Sequence, residues 1–345
     1  MNAEHILAIP LDEPERLFKH KEILKQDYFS LLKKWHPDLN KDPQANEVLV
    51  HVKALYGRAL EKIASKIWAP PGLLELIGKD GRVRKIKYRA KRSFELGDMY
   101  VGDTVITFAI SRAHENLVIA GLRGIGTIRF PNEDFRRNLE QYLPKVEHYF
   151  ETKDFIIVCM RKRKDEILLS DLIKHLGDRI DPKHVAWIMS CLFNLASFLQ
   201  IQKMTINGIS PQTVLVSTPT HSLSILGGWW YSAEYGHTLK ALPPDIYRLA
   251  SRKILLAKKA TPFLDLESIR ACGRAALGDV TGNSFRMRDD IPKSMAAYLT
   301  LPSSSTAVEE YATWMKILED SFGPRKFVKL EVLPDDIYKD STKEK

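Results

Sequence analysis

A chain of 345 residues that is 44% hydrophobic and 28% charged, with six Trp, fourteen Phe and twelve Tyr, has apolar material for real cores. That excludes wholesale disorder and predicts about two domains. The net charge of +9 leaves nucleic acid, acidic lipid and acidic protein surfaces as partner classes. No run of about eighteen apolar residues predicts a membrane span. The opening MNAEHILAIPLDEPERLF lacks the charged-then-apolar layout of a signal peptide. Cys159, Cys191 and Cys272 are far apart and odd in number, which argues against a disulfide framework or zinc site and predicts a reducing, cytoplasmic setting.

In chain order, residues 19 to 35 place Leu24, Tyr28, Leu31, Leu32 and Trp35 at steps that share one face of a helix. Lys25, Lys33 and Lys34 fall on its other sides, so the solvent face is positive. Pro37 ends this helix, because its ring disfavours helical continuation and it lacks a donor. After the loop LNKDPQ a second helix is predicted from Ala45, with Val48, Val52, Leu55, Tyr56, Ala59 and Ile63 at helical spacing. Two apolar-faced helices joined by a short loop pack together, and EHILAI upstream is placed across them.

A short helix, a basic amphipathic helix, KKWHPDLN at its end and a second helix containing KALYGRAL make up the layout of a J-domain. Residues 1 to 66 therefore resemble the J-domains of DnaJ-family cochaperones. The resemblance implies that His36, Pro37 and Asp38 form the loop that engages a DnaK-type chaperone and stimulates its ATP hydrolysis. It also implies that Lys25, Lys33 and Lys34 face acidic surface on that partner. The chemistry agrees: Pro37 limits the entropy lost on docking, Asp38 accepts a charge-assisted bond, and the lysines steer encounter. No Gly/Phe-rich stretch or CxxC repeat follows, so the usual DnaJ substrate-binding equipment is missing.

Pro-Pro-Gly at 70 to 72 predicts a boundary, with a linker over 67–74, a second domain over 75–332 and a polar, frayed tail over 333–345. LLELI, a KDG turn, VRKIKYRAKRSFEL, MYVGDTVITFAIS and NLVIAGL all read as strands of a mostly antiparallel sheet. A helix around FRRNLEQYL and a strand FIIVCM follow. The chain then reads as helical in LLSDLIKHL and in PKHVAWIMSCLFNLASFLQIQ, capped by Asp181-Pro182. Sheet first and helices later predicts an α+β unit with two lobes. GDMYVGDT nearly fits a phosphate loop, but Asp103 stands at its lysine position and strand-like text follows, so that reading is rejected.

NGISPQTVLVS, the turn TPTH and LSILGGWW resemble the catalytic loop and metal-binding strand of protein-kinase-like folds. PPDIY (243 to 247) and DLESIRACG (265 to 273) resemble the later structural motifs of that fold. The resemblance implies a degenerate site, because Mg·ATP needs groups that are missing here. Gly208 stands at the catalytic Asp, Thr213 at the Asn and Gly227 at the metal-binding Asp. The strand lysine falls on Ala109 or Ala120, and the glycine-rich loop thins to ELGD with Gly97. The implied reading is a pseudokinase without cofactor.

The favoured function is an adaptor: a J-domain cochaperone whose kinase-like half binds a client or assembly partner. The alternative from another class is an atypical nucleotide-binding kinase using carboxylates such as Asp279 or Asp289. A third is nucleic-acid contact through Arg82, Arg84, Lys85, Lys87, Arg89, Lys91 and Arg92, where cations alternate with Val83, Ile86 and Tyr88. The ten histidines show no paired metal-ligand spacing. Trp229, Trp230 and Tyr231 are expected to pack in a core rather than to stack a base or hold a peptide.

Overall fold

The computed structural model describes residues 2–64, 68, 72–303 and 306–338. The protein is mixed α+β, with an N-terminal helical region followed by sheet and helices. It divides into two compact units, Met1–Ala90 and Lys91–Tyr338. This division lies C-terminal of the linker expected at 67–74, where Pro70 and Pro71 fall outside the described residues.

The first unit holds α1 (Ala3–Leu7), α2 (Leu24–Lys34) and α3 (Ala45–Ala64). Its core is built from the striped positions: Leu24 and Trp35 from the α2 region meet Ala45, Val48, Val52, Leu55 and Ala59 of α3. Ala3, Ile6 and Ile9 add the upstream apolar segment to this core. The stretch between α1 and α2 makes a short 3₁₀ turn at Pro14–Arg16, which carries Leu17 and the fully buried Phe18 into the same core. Tyr28 stacks on Tyr56 at 3.8 Å, tying α2 to α3. A hairpin of β1 (Leu73–Ile77) and β2 (Val83–Lys87) completes the unit, paired antiparallel from Leu73↔Lys87 to Ile77↔Val83.

The second unit begins with β3 (Ala90–Phe94), β4 (Gly97–Val101) and β5 (Val105–Ser111). α4 (Glu115–Thr127) and α5 (Glu133–Leu139) follow, then β6 (Val146–Glu151) and β7 (Phe155–Arg161). The five strands are ordered β3-β4-β5-β7-β6, and β4–β5, β5–β7 and β6–β7 pair antiparallel. Two readings of this region are corrected. VRKIKYRAKRSFEL is not one strand: it breaks at Tyr88–Arg89, and β2 and β3 belong to different sheets. NLVIAGL is not a strand but the body of α4. Val118 and Gly121 are buried one turn apart, and a Cβ on Gly121 would fall 2.7 Å from the Trp229 carbonyl oxygen. The β-branched run is overridden because this glycine lets a helix, and no bulkier residue, lie against 229–231.

The chain continues through β8 (Glu166–Leu168), α6 (Leu169–His175) and α7 (Pro182–Ile201). α7 starts where expected: the Asp181 side chain accepts from Lys183 N at 2.8 Å. It is the one described helix long and apolar enough to cross a membrane, yet most of it is buried, and it packs on two later helices, Pro262–Ala276 and Ala307–Phe322. β9 (Met204–Thr205), β10 (Val214–Ser217), β11 (Ser222–Ile225) and β12 (Ala233–Glu234) form two small antiparallel sheets, one of them with β8. The remainder is α8 (Pro244–Leu249), α9 (Arg252–Ala257), α10 (Pro262–Ala276), α11 (Lys293–Thr300), α12 (Ala307–Phe322) and α13 (Pro334–Ile337).

The frayed tail expected from 333 is corrected for residues 333–338; the residues beyond lie outside the described ones. Tyr338 is 3% exposed, accepts from Leu168 N at 3.0 Å and donates to Asp171 at 2.8 Å. One aromatic residue among charged ones is enough to anchor the segment, because its ring is buried and its hydroxyl is satisfied.

Candidate docking loop and degenerate cleft

α2 stops at Trp35, whose N–H closes the last turn on Leu31 O at 2.9 Å and whose ring is buried. The chain then turns on His36. Its carbonyl accepts from Leu39 N at 2.9 Å and Asn40 N at 2.8 Å. The Asn40 side-chain amide donates back to Lys34 O at 3.0 Å, and its oxygen accepts from Asp42 N at 2.9 Å. Asp38 N approaches His36 Nδ1 at 3.3 Å, and the Asp38 carboxylate lies 3.6 Å from the same nitrogen, so the two side chains are held together on the turn. The backbone polar groups of the turn are thus largely satisfied locally, while His36, Pro37 and Asp38 stay exposed, the Asp38 side chain 85% so.

Lys25, Lys33 and Lys34 are exposed on α2 as expected. Sequence reasoning missed two members of this surface. Asn40 holds the turn to the helix end. Phe29 lies four residues from both Lys25 and Lys33 and is 55% exposed, an apolar knob within the basic face. An exposed aromatic at that step was legible in the helical spacing.

In the second unit a cleft of about 400 Å³ is lined by Gly208, Thr213, Gly227 and Gly228 on one side and by Phe94, Met99 and Phe108 of the sheet on the other. The loop before it is held from beneath. Asp265 of α10 is buried and accepts from Ile206 N at 2.8 Å and Asn207 N at 2.7 Å. Burial pushes its carboxyl up to about 6, opposed by the two N–H donors. The Thr213 hydroxyl closes the loop by donating to Gly208 O at 2.7 Å and accepting from Ser210 N at 2.9 Å.

Gly208 and Gly228 meet back to back. A Cβ on Gly208 would fall 2.6 Å from Gly228 Cα, and Gly228 has φ +80°. Neither position admits a side chain. Gly227 faces Thr213, and Gly97 lies so close to β5 that a Cβ would fall 2.1 Å from Ala109 O. Of the two candidates for a strand lysine, Ala109 is buried in β5, whereas Ala120 lies on α4.

Trp229, Trp230 and Tyr231 are buried, as expected for core packing. The Trp229 indole donates to Ile225 O at 2.8 Å, Trp230 meets Phe108 edge-on at 5.3 Å, and the Tyr231 hydroxyl donates to Glu95. Asp279 and Asp289 do not line the cleft. Asp279 is instead bonded to the backbone and hydroxyls of Thr281 and Ser284, which hold its carboxyl far below the usual range. Among the described residues no three His, Cys, Asp or Glu come together as a metal-ligand group.

The basic stretch is largely engaged within the protein. Arg84 pairs with Asp80 at 2.7 Å, with Arg82 at 3.9 Å from the same carboxylate, and Lys85 pairs with Glu75 at 2.8 Å. Lys91 pairs with Asp98 at 3.3 Å and Arg92 with Asp171 at 2.9 Å. Lys87 is exposed and Arg89 partly buried. Val83, expected to alternate with the cations, shares the exposed face of β2 with Lys85 and Lys87. A further basic run, RKRK at 161 to 164, behaves alike: Arg161 pairs with Glu147, Arg163 with Glu166, and Lys162 is buried, donating to Asp103 O at 2.9 Å.

Compared with known proteins, the chain matches no family model and no curated sequence.

Proposed function

We propose that the protein is a cytoplasmic cochaperone-type adaptor. The first unit engages a DnaK-type chaperone through His36, Pro37 and Asp38 and stimulates its ATPase. The second, a catalytically inactive kinase-like unit, binds a client or assembly partner. The observation that carries the first half is the His-Pro-Asp turn: its backbone is satisfied internally and its side chains point to solvent beside three exposed lysines. Such a turn is pre-ordered, so little entropy is lost when a partner binds it.

The pseudokinase half is supported by the sheet-then-helices order and by the back-to-back contact at Gly208 and Gly228, which leaves no room for a catalytic carboxylate. Three free cysteines fit a reducing compartment.

The test is the ATPase rate of a purified DnaK-type chaperone with and without this protein. Stimulation is expected, with loss of it in His36→Gln at an unchanged melting temperature. A folded His36→Gln protein that stimulates as well as wild type would remove the reading. For the second unit, Mg·ATP is expected to leave the melting temperature unshifted.

A further inference from the structure

The second unit also holds a separate groove of about 810 Å³, bounded by α7, α12 and residues 323–328. Its volume lies in the range of pockets that hold ligands. One wall is a ladder of rings. Trp187 of α7 stacks on His221 at 4.7 Å with a 6° interplanar angle, and His221 stacks on Phe327 at 4.0 Å and 20°. His221 sits at the β10–β11 turn with φ +49°, a conformation that a non-glycine residue rarely adopts. Phe327 remains 64% exposed, so its outer part is open to a further apolar group.

The charge of the groove differs from that of the basic stretch 82–92. Lys183, Lys316, Arg325 and Lys326 line it, and none forms an ion pair among the described residues. Glu319 is the one carboxylate among the described residues that line it. Cations with no ion pair among the described residues, beside an exposed aromatic ring, select for an anion with an apolar anchor.

We infer that this groove binds an acidic peptide segment of a partner protein, with an aromatic or large aliphatic side chain seated against Phe327 and carboxylates against Lys183, Lys316, Arg325 and Lys326. A nucleic acid fits less well. It needs cations spaced along a track, and most cations of the other basic stretches are already paired within the protein. The inference rests on the adaptor reading of the second unit and supplies the chemistry of its client.

The experiment uses the full chain and a short fluorescent peptide carrying glutamates around a Phe-Leu core. Two control peptides replace the glutamates by lysine or the Phe-Leu by Ser-Ser, and a single-stranded oligonucleotide is a fourth probe. The acidic Phe-Leu peptide is expected to bind best and to weaken as salt rises. Arg325→Glu with Lys326→Glu should weaken it roughly tenfold or more, since charge reversal replaces attraction by repulsion. Phe327→Ser, at an exposed position, should weaken it while leaving the fold intact.

Equal binding of the lysine peptide, wild-type binding by both variants, tighter binding of the oligonucleotide or absence of peptide binding each overturns the inference. Chaperone stimulation is measured on the same variants. If it persists while peptide binding fails, the groove alone is wrong. If wild type never stimulates the chaperone, the cochaperone reading fails and the peptide result still judges the groove.

Discussion

Two loops in this protein carry motif-like sequence, and they are built in opposite ways. The turn at 36–40 satisfies its backbone from within the first unit's own helix end and leaves its side chains in solvent. The loop at 206–213 is anchored from below by buried Asp265 and capped by a glycine contact, with Asn207 fully buried and donating to Thr205 Oγ1 and Tyr231 O. A residue in the first loop is therefore available to a partner and contributes little to stability. A residue in the second contributes to stability, and its chemistry is spent on packing.

Substitutions should break or sharpen this contrast, the largest effect first. Asp265→Ala leaves two buried N–H groups without acceptors, and chemical denaturation should show a loss of about 4 kcal/mol. Gly208→Asp places there the carboxylate that a kinase catalytic loop would need, yet it forces a Cβ into Gly228. The expected outcome is destabilisation of about 3 kcal/mol with no gain of phosphotransfer, measured by denaturation and a kinase assay.

His184 is buried near His221, at a centroid distance of 6.0 Å, and burial lowers the pKa of both rings. Below about pH 6.5 the unfolded chain takes up these protons first, so their contribution to stability is full above that pH and falls as pH drops through the lowered folded values. His184→Gln should flatten this acid-side loss in melting curves recorded against pH. The sign is opposite at Asp265, whose raised carboxyl lets the folded state take up its proton first, so acidification towards pH 4 adds stability there. The smallest stability effect belongs to His36→Gln, under about 0.5 kcal/mol by thermal melting, although it carries the largest expected functional loss.

Much of the first unit was legible because helix faces are read from spacing alone. The steps through Val48, Val52, Leu55 and Ala59 are local, and each residue is buried where the stripe puts it. The exposure of His36, Pro37 and Asp38 was legible for the same reason, since proline must end the helix and polar neighbours keep the turn outside. The strand reading of NLVIAGL failed because short apolar runs suit strand and helix alike, and a close approach between Gly121 and Trp229, distant in sequence, decides between them.

The sequence by itself determined the amphipathic helices, the turn that interrupts them and the cap that starts α7, since all depend on neighbours within a few residues. Only the tertiary structure decided which charges are neutralised, as with Arg92 on Asp171 and Arg161 on Glu147, against the four groove cations that form no ion pair among the described residues. It alone decided that Tyr338 is anchored and that Asp265 supports a loop 58 residues before it. Ion pairs and buried hydrogen bonds join groups across long stretches of chain, and spacing along a sequence carries no record of which partners folding brings within 3 Å.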